Sequence, residues 1–141
     1  MTEPRTRPTG ASVEAFIAAI PDDTVRNDCR VLVELMRRAS HAEPQMWGES
    51  IVGFGEYELA RADGSVYTWP CAAFAPRRRE LVLYVLADRD RHVEGLLRLL
   101  GRYRTGKSCL YVRRLSDVDL GVLEQIVAAS LESRGGCADA G

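Results

Sequence analysis

The sequence predicts an α+β domain built on an antiparallel sheet. Three observations carry that prediction. Helical periodicity occupies both ends of the chain, while the stretch from Pro44 to Leu86 reads as strands. Glycines and an Asp63-Gly64 pair punctuate this stretch as hairpin turns do. The 141 residues are 46% apolar and 28% charged, which supports one buried core and excludes wholesale disorder. There is no internal repeat.

Residues 1–10 (MTEPRTRPTG) lack periodicity and any apolar leader, so they read as a flexible tail without a secretory signal. The single domain is expected over 11–132, with a second flexible tail over 133–141. Ser12 is placed to cap a short helix whose stripe is Val13, Phe16, Ile17 and Ile20, ended by Pro21. Asp22 or Asp23 can cap a longer helix to about His41, with Val25, Cys29, Leu32, Met36 and Ala39 inward. Gln45 to Ala60 is glycine-punctuated and strand-like, with Ile51, Gly53, Gly55, Tyr57 and Leu59 on one face and Val52, Phe54, Glu56 and Glu58 on the other. Asp63-Gly64 predicts a two-residue turn, and Ser65 to Trp69 return as the partner strand. Cys71 to Ala75 form another strand. Leu81 to Leu86 (LVLYVL) are apolar on both faces, as a covered central strand requires. Asp90 can cap a helix carrying Val93, Leu96, Leu97 and Leu100, stopped by Gly101. Ser108 to Val112 give the last strand. Ser116-x-x-Asp119 has the spacing of a capping box before a final helix with Leu123, Ile126, Val127 and Leu131 inward.

The net charge of −1 offers no whole-molecule attraction to nucleic acid or an anionic membrane. The distribution is uneven, however. Residues 1–66 carry a net −4, residues 77–114 a net +7 and residues 115–141 a net −4. That basic stretch either faces an anion or acidic partner or folds against the acidic stretches of the same chain. Lys107 is the single lysine beside eighteen arginines. No apolar run is long enough for a transmembrane helix. The four cysteines form no CxxC pair, so zinc spacing is absent. Cys29, Cys71 and Cys109 sit in apolar stretches and read as small buried hydrophobes, and Cys137 falls in the tail; a reducing cytoplasm fits this usage.

Gly101 to Ser108 (GRYRTGKS) matches the G-x-x-x-x-G-K-[ST] phosphate-binding loop letter for letter. That loop needs a strand before it and a helix after it, so that backbone N–H groups and a helix N-terminus wrap the phosphates. Here the order is inverted, helix first and strand second, and the loop interior is bulky. The octet therefore reads as a connector. Its Arg102, Arg104 and Lys107, with the Thr105 and Ser108 hydroxyls, could still hold a carboxylate or phosphate through charge-assisted hydrogen bonds, or be a solvated turn.

Three stretches carry a resemblance: MWGESIVGFGEYELARADG, TWPCAAFAPRRRELVLYVL and GRYRTGKSCLYVRRLSDVDLGVLEQIV. With the helical start VEAFIAAIPDDTVRNDCRVLVELM, they resemble the YdhG-like family, a bacterial domain of unknown function, over about residues 12–131. The resemblance implies a frataxin-like fold, with helices on one face of an antiparallel sheet. One relative is regarded as an iron chaperone, so the resemblance also implies intracellular iron binding rather than catalysis.

Iron would want clustered carboxylates or imidazoles. Glu14, Asp22, Asp23 and Asp28 could form an acidic ridge, though each also suits a cap or a solvated face. No two-His-one-carboxylate iron site is expected from the only two histidines, because His41 suits a helix C-terminus and His92 the exposed first turn of a helix. Trp47, Trp69, Tyr103, Lys107 and Ser108 are the candidate ligand pocket, aromatic walls around a lone amine at strand ends. The first functional expectation is thus a cytoplasmic, non-catalytic domain holding a small anionic ligand or iron. The alternative is an interaction or homo-oligomerisation module using the basic 77–114 region. A third is an enzyme in which neighbouring cations activate Lys107. Nucleic-acid binding is disfavoured by the near-zero charge.

Overall fold

Short polar side chains start the helices in the computed structural model, which describes residues 9–60, 62–86 and 90–133. The Ser12 hydroxyl accepts from the Ala15 amide at 3.0 Å and opens α1 (Val13–Ala18). Asp22 accepts from the Thr24 and Val25 amides at 2.8 and 3.2 Å and opens α2 (Asp23–Ser40). Asp90 accepts from Val93 at 2.9 Å and opens α3 (Arg91–Leu100). These three caps follow the sequence reading, and each satisfies amides that a helix start leaves unpaired. The fourth differs. Asp119, not Ser116, accepts from Val122 at 3.0 Å ahead of α4 (Leu120–Ser133). Ser116 is held in a 3-10 turn over Leu115–Asp117, and Val118 bridges to Gly101, so the helix cannot begin earlier.

Gln45 to Ala60 is not one strand. It divides into β1 (Pro44–Trp47), β2 (Ile51–Phe54) and β3 (Tyr57–Ala60), with turns at Gly48 and Gly55. Next come β4 (Val66–Trp69), β5 (Ala72–Pro76), β6 (Leu81–Leu83), β7 (Arg104–Thr105) and β8 (Leu110–Val112). Six of them form an antiparallel sheet in the order β1-β2-β5-β6-β8-β7, and β3 with β4 forms a separate two-stranded sheet. The β3–β4 register centres on Asp63, from Tyr57↔Trp69 to Ala60↔Val66. The two-residue turn expected from Asp63-Gly64 is therefore replaced by a longer one, in which the Asp63 carboxylate accepts from the Ser65 amide at 2.9 Å.

Met46, Val52, Phe74, Leu83 and Leu110 stand opposite one another across five strands. They join Leu32, Leu35 and Met36 of α2, Leu97 and Leu100 of α3, and Leu123, Ile126 and Val127 of α4 in one buried cluster. The helices thus bury one face of the sheet, which is the main apolar stabilisation of the fold. Gly53 and Ala73 pair on the other face, and the Tyr84 amide donates to the Ala73 carbonyl. Trp47 is fully buried there, pressed on Gly53 so closely that a Cβ at Gly53 would lie 2.5 Å from the indole. Trp69 meets Tyr84 edge to face at 6.4 Å.

Thr9 lies within the segment expected to be a flexible tail, yet its amide donates to the Met46 carbonyl at 3.0 Å. Residues 1–8 and 134–141, with Cys137, lie outside the described residues. Cys29 is a buried free thiol, as expected, and Cys109 is free and half-buried. Cys71 corrects its expectation: it is fully buried but disulfide-bonded rather than a free apolar thiol. No helix among the described residues is long and apolar enough to cross a membrane.

Candidate functional site

The octet Gly101 to Ser108 sits between helix α3 and the β7–β8 hairpin. No helix follows it, so its backbone cannot form a phosphate-wrapping loop. Instead it enters the sheet at once: Arg104 pairs with Tyr111 and Thr105 with Leu110. The Gly106 amide donates to the Cys109 carbonyl at 2.9 Å, which puts Lys107 and Ser108 at the hairpin tip.

Sheet order then closes long sequence gaps. The Arg77 amide donates to the Glu80 carbonyl at 2.9 Å, which puts Arg78 and Arg79 at the tip of the β5–β6 hairpin. Strand β6 pairs with β8 through Leu81↔Val112, so that tip lies beside Arg113 and Arg114 as they leave the sheet. Strand β8 pairs with β7, which brings up Arg102, Tyr103 and Arg104. Asp22 and Val25 at the start of α2, together with Asp117, complete the wall. The result is an open cleft of about 830 Å³ lined by seven arginines.

Internal pairing uses some of this charge. Arg104 donates to Glu80 at 2.6 Å, and its guanidinium carbon lies 4.3 Å from the Tyr111 ring centroid. Arg114 faces Asp28 at 4.0 Å, and Asp28 also accepts from the Leu115 amide at 3.1 Å. Arg77 donates to the Ser50 hydroxyl at 2.9 Å. Among the described residues, Arg78, Arg79, Arg102 and Arg113 have no carboxylate within 4.0 Å. Four guanidiniums on three chain segments therefore line a shared concavity with no carboxylate partner among the described residues. Planar forks of this kind suit carboxylate and phosphate oxygens.

Tyr111 anchors one wall. The neighbouring Cys109, whose ionised thiol would repel a phenolate, holds the Tyr111 hydroxyl above its ordinary range. Burial and a hydrogen bond with Cys109 act the same way, and Arg104 opposes them. Tyr111 thus stays a neutral platform under the Arg104 guanidinium at ordinary pH.

Of the five residues expected to share a pocket, Tyr103 alone lines this cleft. Lys107 and Ser108 occupy the β7–β8 tip, and the Ser108 carbonyl accepts from Leu86 at 3.2 Å. Trp47 and Trp69 pack on the sheet face opposite the helices. The five are not brought together. The expected acidic ridge is divided as well: Glu14 pairs with Arg30, Asp22 caps α2, Asp23 pairs with Arg26, and Asp28 holds Leu115. Among the described residues, no three His, Cys, Asp or Glu side chains group as metal ligands. Sequence reasoning flagged the +7 stretch but missed Asp22, Val25 and Asp117, which come from outside it. Asp22 reads from sequence as a cap or part of an acidic ridge and Val25 as part of a buried stripe, and only the sheet topology brings them to the cleft.

No family model, curated protein or solved structure matches the chain. The cleft therefore stands on its own geometry.

Proposed function

We propose that the chain is a non-catalytic binding domain whose arginine-lined cleft takes a small polyanion. One observation carries this reading: Arg78, Arg79, Arg102 and Arg113 converge on one concavity with no carboxylate partner of their own among the described residues. Unpaired like charges repel, so the arrangement costs stability that an anion would return on binding. The cleft's volume falls within the roughly 300–1,000 Å³ common for small-ligand sites.

The YdhG-like, frataxin-like reading is supported by helices buried on one face of an antiparallel sheet. Iron delivery rests on that resemblance alone, because the four candidate carboxylates are engaged apart from one another. An acidic protein partner is the second reading, favoured by the same guanidiniums. The cleft's volume, within the range of small-ligand sites, ranks it below a small ligand.

Thermal unfolding tests the proposal. Pyrophosphate should raise the melting temperature above that in sodium chloride of equal ionic strength, since a ligand at about 100 times its Kd adds about 2.7 kcal/mol. The rise should vanish in an Arg78→Ala, Arg102→Ala chain. Identical melting in the two salts contradicts the reading.

A further inference from the structure

Resting on the anion reading above, we infer that the cleft's ligand is a nucleoside polyphosphate, held by guanidinium side chains rather than by a backbone phosphate loop. Three features of the lining narrow the class.

The first is the spread of positive charge. The unpaired guanidiniums come from the β5–β6 tip (Arg78, Arg79), from the link after α3 (Arg102) and from the end of β8 (Arg113). A single carboxylate satisfies one or two planar forks. Guanidiniums on three segments call for a ligand with negative charge at several points, as a chain of phosphates has.

The second is Tyr103. It sits between Arg102 and Arg104, lines the cleft and is 39% exposed. A ring left facing solvent inside a cationic cleft offers a stacking surface to any planar group carried by the anion, and stacking of a base on tyrosine is tolerant of the base's identity. Inorganic polyphosphate or a citrate-like acid would leave this surface unused.

The third is Asp117. It lines the same cleft, and among the described residues no arginine or lysine side-chain nitrogen lies within 4.0 Å of its carboxylate. It is held beside the arginines by the backbone, through the bond from the Arg102 amide to its carbonyl at 3.0 Å. A pure polyanion would be repelled by this carboxylate. A ligand with hydroxyls next to its phosphates can instead donate to it, as ribose does to acidic residues in nucleotide sites. Charge at several points, a planar face and neighbouring hydroxyl donors occur together in a nucleoside di- or triphosphate. The proposal includes no hydrolysis.

The test is calorimetric titration of the full chain with pyrophosphate, ribose 5-phosphate, a nucleoside diphosphate and a short single-stranded RNA. The diphosphate should bind at least ten-fold more tightly than pyrophosphate. Tyr103→Ala should remove that difference by weakening the diphosphate, and Tyr103→Phe should restore it. Asp117→Asn should weaken the nucleoside diphosphate several-fold while strengthening pyrophosphate. Circular dichroism confirms that each variant is folded, and Tyr103→Phe keeps the test decisive if the alanine variant is not. Equal affinity for pyrophosphate and the diphosphate overturns this inference and leaves the anion reading standing. Absence of binding by every probe overturns both. RNA binding more tightly than the diphosphate reassigns the cleft to nucleic acid and overturns the inference.

Discussion

The Arg102 amide donates to the Asp117 carbonyl at 3.0 Å, and this bond ties the cationic link after α3 to the turn that precedes α4. The approach is close because the preceding residue is Gly101. A Cβ there would lie 2.3 Å from the Asp117 carbonyl oxygen, and its φ of 125° belongs to the region that side chains disfavour.

Gly101→Ala should therefore destabilise the chain by about 2 kcal/mol or more, strain and clash together. Urea unfolding measures it. The same variant should bind pyrophosphate less well, because Arg102, Tyr103 and Arg104 hang from that junction. A neutral effect on stability would show that the junction can relax.

Trp47 and Gly53 make a second tight contact, on the sheet face away from the helices. Trp47→Ala should cost about 3–5 kcal/mol, the range for emptying a buried aromatic site. Gly53→Ala forces the indole off its seat and should cost more than about 1 kcal/mol. Neither should change selectivity among anions in a chain that remains folded.

Removing an unpaired arginine should do the opposite. Arg102→Ala and Arg113→Ala should each shift stability by less than about 0.5 kcal/mol, as exposed substitutions do. Each should weaken pyrophosphate by about ten-fold, the loss of one charge-assisted contact. Glu80→Gln releases Arg104 from an ion pair worth under about 1 kcal/mol and should tighten anion binding. Weaker binding in Glu80→Gln would mean that the pair positions Arg104 rather than competing for it.

Burial, with the charge of Asp28 second, pushes the Cys29 thiol from 9.0 up to about 12. The folded chain then holds this proton more tightly than the unfolded chain. Stability from the group is complete below about pH 9 and is lost as pH rises towards about 12. Within that window the loss approaches about 1.4 kcal/mol per pH unit. Cys29→Ala should show a shallower alkaline decline in urea unfolding than the parent chain. Equal slopes would place the alkaline loss in other groups.

The helices were legible because Ser12, Asp22 and Asp90 announce their caps locally, and the α+β order followed from periodicity. The strand breaks at Gly48 and Gly55 were not, because a glycine inside an apolar stretch reads equally as a bend or as a close contact, and Gly53 is the latter. The cap before α4 was misplaced because the Gly101–Val118 bridge that displaces it is non-local. The cleft was half legible. Its charge showed in the +7 stretch, but Arg78 meets Arg113 only through the β6–β8 pairing, and Asp22 arrives from the far end of the chain. Aromatic walls at strand ends suggest a pocket of Trp47 and Trp69 around Lys107, but β1 and the β7–β8 tip stand at opposite edges of the six-stranded sheet and Trp69 belongs to the other sheet.

The most direct test is calorimetric titration of pyrophosphate into the parent chain and into an Arg102→Ala, Arg113→Ala double variant at fixed ionic strength. Saturable binding near one site per chain, weakened about a hundred-fold in the double variant, is the predicted result if two separate contacts add. Equal binding by both chains, or heat no greater than dilution in the parent chain, contradicts an anion site in this cleft.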